Sequence, residues 1–563
     1  MKNLILTGLT LGLTCMMSYA QKYDEMKTTW EIEATHPFSE TGLSEEKAIV
    51  HGSNEKMFTM VSTVDGKVKW SKKFKEIDEQ IGKVDLQIPM YESNAVFLFD
   101  KKAGKDQMVV VDMETGTKLW STNKYQGIDD PDEVIYIAEL NAYAIVTKTN
   151  LTMVKARTGE ELWSTVKFST PVGKYFYDEQ ENAIVIISMP RNAWQAMFKG
   201  FRNQILKINA KNGDVLWEQT FVGIVERKIV TRESVAKIFL RGDKLFLQLN
   251  GLQVYEYKTG SPIWAAAYDV TFARELVRPK VYGQVVRFGV YEAIAQPLYD
   301  GEYVYILDVK SRKSQYLKKY EVNSGKLIWT SPEIKDARVI PGLYKIDDKI
   351  ILQIGGAVEV QAISKQTYGN GYVQWTQYFR TIKYQNVKPY EVQAFSTNDG
   401  TKSWDSERFR KGITNIFPSG KNIVVSSGKA LYSLDYKTGK EAYEIALGDD
   451  DIGLAEKIVN PAELGDNVSK DNVIVLGEKG VSSHNIATGA KVWAVKTKKG
   501  EFSGIFGENI FFDTEKGDYF SIDANSGKAK FFDSRKNSKS IVSLDGKSIY
   551  VFEGKKILKV SAE

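Results

Sequence analysis

Apolar and polar residues alternate in short runs along this chain, and punctuating residues break the runs at close intervals. The stretch from Ile135 to Trp163 shows the unit. Ile135-Tyr136-Ile137-Ala138 is followed by a turn at Asn141-Ala142, then by Tyr143 to Thr147. A turn at Asn150 leads to Leu151 to Lys155, and Arg157-Thr158-Gly159 leads to Glu161 to Thr165. Period-two alternation with turn signals every eight to twelve residues predicts four antiparallel strands in a meander.

The unit recurs. A turn ending in Gly precedes an aromatic ring by four residues at Gly66/Trp70, Gly116/Trp120, Gly159/Trp163, Gly213/Trp217 and Gly260/Trp264. It does so again at Gly325/Trp329, Gly400/Trp404, Gly439/Tyr443, Gly489/Trp493 and Gly527/Phe531. The mean spacing is about 51 residues, and for strand-rich units a period of this size predicts a propeller. An eleventh unit is split between the ends of the chain. Ser540 to Ser543, Ser548 to Phe552 and Ile557 to Val560 supply three strands, and Thr28 to Ile32 supplies the fourth, with Trp30 as its ring. Joining the two ends closes a ring and removes its exposed edges. The expectation is an all-β closed propeller of four-stranded blades, eight or more, with ten to eleven units counted. Without a Pro/Gly/Ser-rich linker between units, residues 21–563 read as one array rather than two rings.

The glycine supplies a residue at positive φ for the hairpin. Asp112, Asn209, Asp435, Asn485 and Asp523, each four residues earlier, can accept hydrogen bonds from the turn's own amides. The rings have a packing role: an aromatic between neighbouring sheets buries roughly 150–250 Å². That is worth on the order of 4–6 kcal/mol as an upper bound. Regular recurrence favours this over a ligand-stacking set.

Asp112-Met-Glu-Thr115-Gly116-Thr-Lys-Leu-Trp120 resembles the tryptophan-docking motif of the quinoprotein-like propellers. The resemblance runs over nearly the whole chain after residue 20 and points to the non-catalytic, BamB-like branch. It implies the fold and leaves the activity open. The PQQ dehydrogenases of the same superfamily use an adjacent cysteine pair, a carboxylate base and Glu/Asn/Asp ligands to Ca²⁺. Cys15 is the single cysteine, so that pair is absent, and no calcium set aligns with any stretch. No cofactor and no metal are expected.

Residues 1–20 read as a signal peptide: Lys2, an apolar Leu4 to Met17, and Ser18-Tyr19-Ala20 before the cleavage point. A lipid on Cys15 is the alternative. The expected location is periplasmic or extracellular, with outer-membrane association open, and the expected state is a monomer with no transmembrane helix. The 76 basic residues nearly balance 71 acidic ones, and without a concentrated basic stripe nucleic-acid binding is not expected.

Four segments break the rhythm. Tyr368, Tyr372, Trp375, Tyr378, Phe379 and Arg380 fall within the longest interval and suit a partner contact or an extended hairpin packing on itself. Trp194, Phe198 and Phe201, followed by Arg202, have the ring spacing of one helix face, which covers a blade end or meets a partner. Arg274, Arg278 and Arg287 sit among apolar residues, and Asp449-Asp450-Asp451 reads as a solvated turn. His36, His51 and His484 are the only histidines, none in a metal-spaced pair, and no G-x-S-x-G elbow or P-loop is present. The favoured function is an exported scaffold binding proteins or envelope components. A quinoprotein-like dehydrogenase and a glycan-binding propeller are the alternatives.

Overall fold

The computed structural model describes residues 23–563 except 102–104, 129–130, 148–149, 166–171, 189–203, 221–236, 249–250, 268–283, 292–293, 312–313, 370–373, 449–451, 498, 515–516 and 536. The predicted signal peptide and the segment carrying Trp194, Phe198, Phe201 and Arg202 lie outside the described residues, as do Arg274, Arg278, Tyr372 and Asp449 to Asp451.

Eleven sheets run in chain order, each built on a four-stranded antiparallel meander, and they form one propeller ring. Blade 1 is Glu40–Ser44, Ile49–Ser53, Met57–Ser62 and Val68–Lys73. Blades 2 to 6 occupy 86–122, 134–165, 172–220, 237–267 and 298–330, and blades 7 to 10 occupy 342–405, 413–446, 455–496 and 500–532. Blade 11 is Lys539–Val542, Ser548–Glu553 and Lys556–Ser561, completed by Lys27–Glu33 from the other end of the chain.

Burial follows the alternation in the sequence. The two middle strands of a blade are covered on both faces by its neighbours, so Ala95–Asp100 and Gln107–Asp112 are buried throughout. The fourth strand is buried mainly at its ring, as in Lys118–Thr122. The core is therefore a circle of interfaces between blades. Phe97, Phe99 and Val110 of blade 2 meet Tyr143, Ile145 and Val154 of blade 3. Similar clusters join each later pair, and the last sets Val50 and Val61 of blade 1 against Tyr550, Phe552 and Ile557 of blade 11. The first strands of blades 8 and 9 bond directly near the axis. The Asn415 side chain, in blade 8, holds both the carbonyl (2.7 Å) and the amide (2.9 Å) of Ile458 in blade 9.

The N-terminal segment fastens the ring. Lys27–Glu33 pairs antiparallel with Lys556–Ser561, Trp30 opposite Lys559. Just before it, Asp24–Glu25 adds a fifth strand to blade 10, parallel to the outer strand, with Asp24 opposite Lys530. The Met26 amide then donates to the Phe531 carbonyl at 2.9 Å.

Blade 7 departs from the pattern. Its middle strands, Lys349–Gly369 and Gln374–Ser396, run far beyond the blade as one hairpin. The register shifts between Ile354 and Gly356, then holds without a break from Gly356 opposite Val387 to Gly369 opposite Gln374. At the shift a Cβ on Gly355 would lie 1.7 Å from the Pro389 carbonyl oxygen, so this crossing requires glycine. Gln284–Tyr291, from the insertion between blades 5 and 6, pairs along the same hairpin. Residues 284–291, 357–369 and 374–387 thus make a three-stranded arm continuous with blade 7.

A candidate partner-binding arm on a ring of aromatic contacts

The turn glycines have φ between +64° and +77°. In each turn the glycine amide donates to the carbonyl four residues earlier, as Gly116 does to Asp112 at 2.9 Å. The Asp112 carboxylate accepts from the amides of Glu114 and Thr115, both at 3.0 Å. The side chains of Asn209, Asp435, Asn485 and Asp523 accept from amides in the corresponding turns.

The ten glycines and ten of the eleven rings meet across blade boundaries. Trp70 lies against Gly116, Trp120 against Gly159, Trp163 against Gly213, Trp217 against Gly260 and Trp264 against Gly325. Trp329 lies against Gly400, Trp404 against Gly439, Tyr443 against Gly489, Trp493 against Gly527, and Trp30 against Gly66. The indole N–H donates to a carbonyl of the same turn: Trp70 to Met113, Trp120 to Ala156, Trp163 to Ala210 and Trp217 to Tyr257, all at 2.9 Å. Trp264, Trp329, Trp404, Trp493 and Trp30 donate to Val322, Thr397, Tyr436, Asn525 and Thr63. The Tyr443 hydroxyl does the same to Ile486 at 2.9 Å. Phe531 is the exception: its strand pairs without the register shift, so Lys530 rather than the ring stands at the position the other rings occupy, and Phe531 packs into the cluster between blades 9 and 10. Tyr23 packs on the same side, its ring 6.5 Å from Phe531 and 5.3 Å from Phe520, and its hydroxyl donates to the Lys496 carbonyl of blade 9.

Two lysines share the very carbonyl that serves a ring, which the sequence reading missed. Lys319 Nζ donates at 2.9 Å to the Thr397 carbonyl that also serves Trp329, and it lies 4.0 Å above the Tyr303 ring. Burial lowers its pKa. Lys559 Nζ shares the Thr63 carbonyl with Trp30 in the same way. Neither partner is near its lysine in sequence, so no local pattern signals them.

The histidines are built into the blades. His484 Nε2 is 3.0 Å from the Ser482 hydroxyl, but its Nδ1 faces the Gly489 carbonyl and both side chains are buried. His36 meets Thr59 at 2.8 Å and His51 meets the Tyr91 hydroxyl at 2.9 Å. Among the described residues no group of three or more His, Cys, Asp or Glu is arranged to hold a metal ion. A gap lined by Phe58, Trp70, Phe74 and Val96 has no room for a water molecule. The adjacent cysteines of the PQQ dehydrogenases have no counterpart in a chain whose one cysteine is Cys15, so the residues do not fit that chemistry.

The arm brings together two segments that the sequence flagged separately. Tyr368 stands opposite Trp375, Lys365 opposite Tyr378, Ser364 opposite Phe379 and Ile363 opposite Arg380. On the other side Ile363 faces Arg287, so Arg287, Ile363 and Arg380 form one row across three strands. The β-branched and aromatic residues of Val285-Val286-Arg287-Phe288 suit a strand; nothing in the sequence announces its pairing with a hairpin some seventy residues later. Among the described residues no helix is long and apolar enough to cross a membrane.

A family model described as "Outer membrane protein assembly factor BamB" matches residues 20–266 and 388–494, more than half of the chain. The match omits blade 6, the first half of blade 7 with the arm, and everything after residue 494, including blade 10 and most of blade 11. No curated protein matches. Among solved structures, BamB from Moraxella catarrhalis is 14% identical, with a TM-score of 0.28 over 74% of this chain and 95% of that one. The computationally designed Ika8 protein is 10% identical, with a TM-score of 0.34 over 69% of this chain and 95% of that one. A eukaryotic initiation factor is 10% identical, with a TM-score of 0.33 over 75% and 90%. Superpositions this loose leave the assignment to the sequence match. By that match, this eleven-bladed chain belongs to the BamB family of outer membrane protein assembly factors.

Proposed function

We infer that this protein is an exported scaffold of the cell envelope, with no catalytic role, that holds a protein partner on the arm of blade 7. The family supports an envelope role with protein partners. The observation that carries the arm's part is the break in the family match. The shared pattern stops at residue 266 and returns at 388, and the chain's longest hairpin lies in between. The arm is an insertion into the blade repeat, placed where insertions in repeat folds bind. Tyr368, Tyr372, Trp375, Tyr378, Phe379 and Arg380 have the aromatic and arginine content of interface anchors. The helix-spaced Trp194, Phe198, Phe201 and Arg202 are a second contact in this reading. A cleaved signal over residues 1–20, a periplasmic location beside the outer membrane and a monomeric state complete the proposal.

Cross-linking with mass spectrometry in the native envelope tests it. The wild-type chain should give partner cross-links from residues of the arm, and Trp375→Ala should reduce them while the ring melts unchanged. Cross-links confined to other blades, or a loss of Trp375→Ala binding seen only toward sugars, would contradict the reading.

A further inference from the structure

We propose that the outer edge of residues 374–387 takes an extended, acidic segment of the partner protein as an added β-strand. The proposal rests on the arm being the partner site and names how the site works. Residues 374–387 pair with 356–369 on one side. Blade 7's fourth strand, Lys402–Asp405, covers only the far end of this strand, at Gln393 to Phe395. Along the arm no described strand lies on the other side. Among the described residues, the edge from 374 to 385, roughly 40 Å long, has no strand paired to its outer amides and carbonyls.

The ring shows what makes an edge acceptable. In blades 1 to 9 and 11 the pairing of the fourth strand shifts register beside its ring. Such bulges twist an edge away from pairing. Blade 10 is the exception: Ala529–Phe532 pairs in constant register. It is also the blade whose outer strand carries an added one, Asp24–Glu25. This chain thus leaves its unbulged outer edge to an extended segment, and that segment is acidic and sits opposite Lys530.

The arm's edge repeats both properties at greater length. Its register is unbroken over the fourteen pairs, and it contains no proline or glycine. Its charged residues are Arg380 and Lys383, with no carboxylate between 374 and 387. A second copy pairing edge to edge would set like charges together, which is unfavourable. An acidic segment is complementary. The arm lies outside the residues that the family model matches.

The test uses the full chain and two synthetic eight-residue peptides, one alternating Glu or Asp with Val or Thr, the other with Lys replacing each acid. Binding is followed by fluorescence anisotropy and backbone contact by hydrogen exchange. The acidic peptide should bind, slow exchange across 374–387 at every second amide, and bind at least tenfold better than the lysine peptide. Arg380→Glu with Lys383→Glu should reverse this preference, which a misfolded arm would not do. Equal binding of both peptides, bound acidic peptide without amide protection in 374–387, or a concentration-dependent dimer that protects those amides would overturn the proposal. If the acidic peptide fails while Trp375→Ala still loses the envelope partner, strand addition is wrong and the arm remains the partner site. If both fail, the partner site is elsewhere.

Discussion

A Cβ on Gly159 would lie 2.5 Å from Cδ2 of Trp120. The indole rests on the bare backbone of the next blade's turn, and no side chain fits between them. Gly242 is a control within the same molecule. Its φ of +61° is close to the +69° of Gly159, but nothing lies within 4 Å of its missing Cβ. Gly242→Ala should cost about 1 kcal/mol through backbone strain alone. Gly159→Ala should cost at least ~2 kcal/mol more through overpacking. Denaturant melts of the two variants measure the difference, and equal losses would mean that the ring contact is slack.

Removing the ring should be costlier still. Trp120→Ala and Trp217→Ala are each expected to lower stability by ~3–5 kcal/mol through cavity formation. Trp120→Phe keeps most of the volume but leaves the Ala156 carbonyl without its donor, so ~1–3 kcal/mol is expected. Unchanged melting temperatures would remove the packing role assigned to these residues.

His51 gives the ring a dependence on pH. Its imidazole is stacked on Phe58 at 4.9 Å, and burial lowers its pKa to about 4. The folded state holds the neutral ring, while the unfolded chain takes a proton near pH 6.5. The stability is complete above pH 6.5 and lost as pH falls toward 4, by about 3 kcal/mol. His51→Gln should flatten that part of the stability profile. An unchanged slope would place the dependence in other groups.

Asp513 acts with the opposite sign. Burial, with Glu501 adding to it, raises its pKa, so the folded state favours the protonated acid. Ionisation at neutral pH therefore weakens the fold, and acidification through the raised pKa restores stability. Asp513→Asn should melt higher than the wild type at pH 7, with the gain vanishing below the ordinary aspartate range. A lower melting temperature at pH 7 would show that the carboxylate is needed for its hydrogen bonds.

The blades were legible because each repeats a strong local rule: a glycine at positive φ, then a ring four residues on. Even the split eleventh blade could be read, since Trp30 stands where a ring was owed and three strands near the C-terminus lacked a fourth. What escaped was set by distance. Nothing near Gln284–Tyr291 announces that it will leave the path between blades 5 and 6 to pair with residues 359–365 of blade 7. Lys319 reads as a surface lysine until Thr397 and Tyr303 close around it. The aromatic cluster at 368–380 was recognised as a break in the rhythm, but its strand register depends on a bulge at Gly355 that composition alone does not reveal.

The molecule is a closed ring carrying one long arm, and excising the arm tests most directly whether the arm holds the partner. Gly356 and Val387 are paired, so an Asn-Gly turn can join them in place of 357–386. The shortened chain should melt as a ring close to the wild type, and mass spectrometry of native envelopes should find its partner cross-links gone. A full set of partner cross-links from the shortened chain would contradict the account.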